Sequence, residues 1–311
     1  MNPLEVSPTN YHTTLTCDRS NVLSSDSWLS KSALWELSKR SLYSWRFAPS
    51  VFKPTPSMRW GSLVDCLTTT PDEVDDLYVI QPATYPAKES TKKDAPMVEK
   101  PWNKNAKFCK GWAADHEGKE VIPAELMEEA LKAHKMLTET HELSAKIFAN
   151  SQTQVIVGAK IQGCQVKGLL DLAPINEDFL VDLKTTNDFS MDGFAKTIGK
   201  FGYHVQGGLY LLLWNAMFPN DQRDSFRIIW QSSEAPYEVC VTEICGTDLE
   251  AGEEYARHLI NRLVEATEAD YWPMLGEGLV TTLTRPTWAG SREESQIETD
   301  DRQVIEAGGE S

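Results

Sequence analysis

Lys167-Gly168-Leu169-Leu170-Asp171-Leu172 and Leu180-Val181-Asp182-Leu183-Lys184-Thr185-Thr186 are the two stretches whose reading decides the fold. Each is apolar and strand-like, and each ends by delivering an acid. The second also delivers a lysine two residues after its acid. Side chains alternate faces along a strand, so residues two apart point the same way. Asp182 and Lys184 therefore share one face, and Leu183 takes the other. A carboxylate from a neighbouring strand, Asp171, then completes an oxygen-rich site for a hard cation. Burying charges in so apolar a strand is expensive unless they serve a site.

Composition sets the frame around these strands. The chain has 311 residues, 41% of them hydrophobic, enough for one large core. Its longest apolar run, Leu209 to Trp214, falls far short of the roughly 20 residues that cross a bilayer. The N-terminus shows neither the basic nor the apolar region of a secretory signal, so the expected compartment is the cytoplasm. Six scattered cysteines form no C-x-x-C pair, which argues against a zinc ribbon or an iron–sulfur cluster. The net charge of −16 argues against a generally basic, nucleic-acid-coated surface. It leaves room for a local basic groove, or for an acidic site that meets phosphate through a cation.

Periodicity divides the rest. Residues 1–26 are polar and read as a flexible lead-in. Ser27 to Trp45 has helical spacing, and a break at Pro49–Pro56 precedes a second helix over Met58–Leu67. Leu77 to Ile80 is a short strand. Residues 83–118 read as an inserted loop in which seven lysines alternate with Trp102, Phe108 and Trp112. That loop is either a solvated surface or a DNA-facing segment. Pro123 to Phe148 is a long helix, followed by strands over 154–159, 162–172 and 179–184. Asp192 to Phe218 is helical, with a break at Gly199 or Gly202. Strands over 226–231 and 237–245 lead to a helix at Leu249–Ala269 with Asp248 as its N-cap. Residues 27–286 form one domain in this reading. Residues 287–311 are an acidic tail, low in apolar content and expected to be disordered.

The ordered set of Lys167–Leu172, Leu180–Thr186, then Gly202-Tyr203-His204-Val205-Gln206 with Tyr210, resembles the PD-(D/E)XK nuclease superfamily. Within it, the pattern is similar to the RecE (exonuclease VIII) type of phage recombination exonuclease. Ser30-Lys31-Ser32-Ala33-Leu34 and Trp60-Gly61-Ser62-Leu63-Val64-Asp65 add to the likeness. The resemblance implies a restriction-endonuclease-like α/β (α+β) core, a central mixed β-sheet flanked by helices. It also implies a Mg²⁺-dependent exonuclease, with Mn²⁺ as the other suitable ion. Such enzymes digest the 5′ strand of double-stranded DNA ends. They leave 3′ overhangs for a single-strand annealing protein and act as ring-like homo-oligomers in a bacterial host or as phage products.

By the same resemblance, Asp171, Asp182 and the Leu183 backbone carbonyl bind the metal. Lys184 then positions or deprotonates water, or stabilises developing charge. Gln206 and Tyr210, four apart and so on one helix face, flank the site. Two positions depart from the family pattern. Asp65 stands where a histidine is common, and as a hard ligand it becomes a third candidate for the metal. Gln152 and Gln154 stand near a frequent glutamate. Arg40, Arg46 and Arg59 are candidates for a phosphate contact. The competing readings are an endonuclease with the same metal site, and a catalytically inactive DNA- or protein-binding relative.

Overall fold

The computed structural model describes residues 5–49, 53–280 and 282–284. The acidic tail at 287–311 lies outside them. By its contacts the chain divides into Met1–Trp272, which holds every helix and strand among the described residues, and Pro273–Ser311, whose described residues are turn and irregular chain.

Among the described residues, ten strands and eleven α-helices follow one another in the first unit. The N-terminal region carries α1 (Tyr11–Thr14), β1 (Trp28–Ser30), α2 (Lys31–Leu37), α3 (Leu42–Phe47), α4 (Pro56–Thr69), α5 (Val74–Leu77) and β2 (Tyr78–Ile80). The insertion follows with β3 (Thr84–Lys88), β4 (Met97–Pro101) and α6 (Lys107–Asp115). Then come β5 (Glu120–Ile122), α7 (Ala124–Lys135) and α8 (Glu142–Ala149). The site-bearing region is β6 (Ser151–Ile161), β7 (Cys164–Pro174), β8 (Phe179–Thr186), α9 (Met191–Phe201) and α10 (Tyr203–Met217). The chain closes with β9 (Ser225–Ser232), β10 (Val239–Glu243) and α11 (Gly246–Ala269).

Six strands make a mixed sheet in the order β1-β7-β8-β9-β10, with β6 also on β7. Pairing of β1 with β7 and of β8 with β9 is parallel, and the remaining ladders are antiparallel. The parallel step from β8 to β9 needs a long crossover, which α9 and α10 supply. Both faces of the sheet are buried. Alternation along β8 and β9 sends Leu180 and Ile228 into a core shared with Leu209 and Leu213 of α10 and Leu259 of α11. Val181, Leu183 and Ile229 join the opposite core, built on Leu63 and Val64 of α4 and Ala133 of α7. This architecture is the mixed α/β core expected from the two opening stretches.

Several local expectations change. The described part of the lead-in, 5–26, is packed: Tyr11, Leu15 and Val22 are buried. The buried Lys167 of β7 donates to the Tyr11 carbonyl at 3.0 Å and lies 3.7 Å from the centre of its ring. The helix expected over 27–45 becomes a strand and two helices. Trp28–Ser30 pairs with Gln165–Lys167, and the side chains of Ser30 and Ser41 each cap a new helix. Pairing with a sheet edge here outweighs helical spacing. The loop expected at 83–118 is a β3–β4 hairpin with α6. Tyr85 stacks on Phe108, and Trp102 meets Trp112 edge to face. The long helix from Pro123 is interrupted by a π-helical turn at Met136–Thr140, after which His141 caps α8. Helix α11 starts after Cys245, so Asp248 lies in its first turn rather than at the cap.

Candidate active site

The site begins where two strands diverge. β7 and β8 share the register pair Leu172↔Val181. Beyond it β7 turns to β1 and β8 stays with β9. One step past the last pair, the antiparallel register sets Asp171 opposite Asp182. The split leaves backbone groups on the inner edge of β8 that need partners. Asp171 supplies one, accepting the Leu183 N–H at 2.8 Å.

On β8, Asp182 and Lys184 share the face toward α10, as their two-residue spacing requires. Asp182 is 3% exposed, and its carboxylate pairs with the Lys184 ammonium. Gln206 of α10 donates to the other Asp182 oxygen at 2.7 Å. The Lys184 ammonium also lies 5.1 Å from the centre of the Tyr203 ring and 3.4 Å from the Leu183 carbonyl. Gly202, in the left-handed region at φ 66°, breaks the expected helix into α9 and α10 and so presents Tyr203 and Gln206 to β8.

Asp65 reaches the site from α4. Its carboxylate accepts from Thr69 Oγ1 at 3.3 Å and from Gln154 Nε2 at 3.4 Å, and Gln154 also donates to Thr69 Oγ1 at 2.9 Å. The two departures from the family pattern are therefore neighbours. Gln154 holds a left-handed backbone, φ 50°, in mid-strand, and the β6–β7 ladder skips the step where it would face Asp171. Non-glycine residues adopt this conformation at a cost of order 1–3 kcal/mol, and such residues cluster at functional sites.

A cleft of about 920 Å³ opens here, lined by Asp65, Asp171, Leu183, Lys184, Tyr203 and Gln206. Asp182 lies beneath its floor. Burial, followed by the Asp182 and Asp65 charges, raises the Asp171 carboxyl well above its usual range. Burial also pushes Asp65 up to about 6, with Lys184 opposing and Asp182 adding. Burial works against the Lys184 charge, but Asp182 and Asp171 outweigh it and hold that ammonium above its ordinary value.

Among the described residues no three acidic, His or Cys side chains form a ready-made metal cage. The donors at hand, three carboxylates and the Leu183 carbonyl, are all hard oxygens. Burial and mutual repulsion push two of the carboxyls, Asp65 and Asp171, upward, and a cation among them would relieve that repulsion. That chemistry fits a divalent cation of the Mg²⁺ or Mn²⁺ kind.

The sequence-derived residues thus separate. Asp65, Asp171, Asp182, Leu183, Lys184 and Gln206 converge. Tyr210 does not: it is buried behind Gly168, where a Cβ would come within 2.8 Å of its ring, and it meets Phe226 edge to face. Tyr210 is thus outside the cleft lining and packed in the core, and Gly168 is the residue that admits its ring. Arg40 pairs with Glu36, Arg59 with Glu120, and Arg46 lies over Phe47 and Trp272, so none of the three lines the cleft. Tyr203 and Thr69 gave no signal of their own, because each matters only through a partner brought by tertiary contact.

The family model described as a PDDEXK-like domain of unknown function (DUF3799) matches residues 42–280. Among solved structures, a candidate exonuclease from Eubacterium rectale is similar over 90% of this chain and 95% of its own, at 14% identity and a TM-score of 0.57. That likeness is one of fold. A phage-related exonuclease from Haemophilus somnus 129PT is similar over 51% of this chain and 85% of its own, at 11% identity and a TM-score of 0.26. Among curated proteins no sequence matches. No helix among the described residues is long and apolar enough to cross a membrane.

Proposed function

The chain belongs to this PDDEXK-like family, and we propose that it is a metal-dependent deoxyribonuclease working as an exonuclease on duplex ends. The observation that carries the reading is the paired Asp182 and Lys184, set opposite Asp171 where β7 and β8 diverge within one cleft. In this reading Asp171, Asp182, the Leu183 carbonyl and Asp65 would hold Mg²⁺ or Mn²⁺. Such an ion would make water a better nucleophile and offset charge on the phosphoryl oxygens.

The chain's own groups do the rest. Gln206 orients Asp182 through the hydrogen bond to Oδ1. Asp182 holds Lys184 as a cation. Lys184 then faces the scissile phosphate and stabilises charge as water adds to phosphorus and the bridging oxygen leaves. Tyr203 limits where the ammonium can go by offering its ring face. The 5′-to-3′ direction, a ring-like assembly and delivery of 3′ overhangs to an annealing protein rest on the sequence resemblance alone.

Digestion of end-labelled linear duplex with Mg²⁺ tests the reading. The parent is expected to degrade it, and Asp182→Ala to lose at least about 10³-fold in rate. Equal rates in clean preparations of both would remove this site from the chemistry. A closed circle cut as fast as the linear duplex is degraded would replace the exonuclease with an endonuclease.

A further inference from the structure

The same cleft has a second wall. Helix α9 contributes Gly193, Lys196, Thr197 and Lys200 to its lining. These positions follow i, i+3, i+4, i+7, so they form one stripe along a single helix face. Lys196 and Lys200 are exposed. Among the described residues neither has an acidic partner within 4.0 Å. Apart from Lys184, they are the only cations among the described residues that line the cleft. The lining is otherwise acidic, with Asp65, Asp171 and, against Gly193 at the start of the stripe, Asp188, and Ser32 and Ser57 add hydroxyls.

This polarity has a physical use. A chain of net charge −16 repels a polyanion at long range, and its acidic floor repels it at short range. A phosphate strand enters only where local cations offset that repulsion. Lys196 and Lys200 are four residues apart, about 6 Å along the helix axis. That separation is comparable with the distance between successive phosphates on one DNA strand. Lysine is a compact charge on a flexible stem, which suits contact with phosphates of any sequence.

Next to the stripe, Lys31 is held in place. Its ammonium donates to the Phe201 carbonyl at 2.6 Å and lies 5.4 Å from the centre of the Tyr203 ring, the ring that also receives Lys184. Tyr203 therefore joins the catalytic lysine to the end of the α9 wall. The anchored Lys31 already has its carbonyl, whereas Lys196 and Lys200 have no acidic partner among the described residues and Lys200 only the face of the Phe201 ring, 5.1 Å from its centre.

The geometry points to the α9 face of the cleft as a backbone track, on which Lys196 and Lys200 bind consecutive phosphates of the DNA strand whose scissile bond lies over Asp171 and Lys184. The inference rests on the nuclease reading of the site. It assigns the substrate's grip to α9 rather than to the lysine-rich insertion or to Arg40, Arg46 and Arg59.

Fluorescence anisotropy of a labelled short duplex tests it. Ca²⁺ replaces Mg²⁺, and gels check that the duplex stays intact. Dissociation constants are measured across a salt series for the parent, Lys196→Gln, Lys200→Gln, the double variant, the double Lys→Arg variant and Lys132→Gln on α7. Each cleft lysine removed is expected to lower the slope of log Kd against log salt by about 0.7–0.9, and to weaken low-salt binding severalfold. The arginine pair should restore the slope, and Lys132→Gln should leave it unchanged. Parent-like slope and affinity in the double Gln variant would overturn the track while leaving the nuclease reading standing. An equal loss in Lys132→Gln would also overturn it, by showing that only overall charge matters. A parent that degrades no DNA with Mg²⁺ and binds no duplex with Ca²⁺ would take down the nuclease reading itself, and the track with it.

Discussion

Lys184 lies over the Tyr203 ring with its charge paired to a buried Asp182, whereas Lys104, Lys107 and Lys110 stand exposed around Phe108 on the insertion. Both regions mix lysine with aromatic residues, and both qualify from sequence as places to meet DNA. In the first, every polar atom is placed by a strand register and a helix face, and removing one partner strands another. In the second, the aromatic rings are used against each other, Tyr85 on Phe108 and Trp102 on Trp112. Lys104, Lys107 and Lys110 are exposed to solvent, where an isolated charge contributes little. The contrast teaches that a charge is informative in proportion to what the fold spends to hold it still. Asp182 and Lys184 are held inside an apolar sheet; on the insertion Lys88 and Lys100 reach only backbone carbonyls, and Lys104, Lys107 and Lys110 have no side-chain partner among the described residues.

The sharpest way to break this contrast is to neutralise lysines in each region. Lys184→Gln is expected to slow cleavage of linear duplex about 10²–10⁴-fold, the range seen when a placed acid–base or charge-stabilising group is lost. A rate within threefold of the parent would place Lys184 outside the reaction. A smaller effect separates packing from chemistry at the neighbouring strand. Gly168→Ala puts a methyl group 2.8 Å from the Tyr210 ring. It should lower stability by about 1–3 kcal/mol, read as a shift in the urea midpoint. An unshifted midpoint would mean that the Tyr210 ring gives way freely and belongs to no tight core. The smallest effect belongs to the insertion. Lys104→Gln with Lys107→Gln should change stability by under about 0.5 kcal/mol. The pair should also leave the cleavage rate within twofold. A large loss of rate there would make the insertion a substrate-binding element and erase the contrast.

Much of the site was legible in the sequence because it is written in local periodicity. Asp182 and Lys184 share a face in any strand, and Gln206 follows on a helix whose start Gly202 marks. The depth of Tyr210 was not legible, because spacing along a helix says which residues share a face but not how deep each one lies. One turn beyond Gln206, the helix has already passed under Gly168 into the core. Gln154 drew notice only as a missing carboxylate. Its contact with Asp65 spans 89 positions of sequence and depends on a left-handed residue that no strand pattern signals. The packed N-terminal segment escaped for a similar reason, since its polar composition hides three buried side chains whose partners lie far along the chain.

By itself, then, the sequence determined the alternation that puts acids and a lysine at the end of two apolar strands, and most of the helices that cover them. Alternation is a property of the backbone at each residue, so it survives in any fold that keeps the strand. Only the tertiary structure decided that β7 and β8 diverge just beyond Leu172 and Val181, that Asp65 and Gln154 meet there, and that α9 turns its lysines toward the same cleft. Those facts depend on which apolar faces are buried together, and that choice is made by the whole core at once rather than by any one stretch of chain.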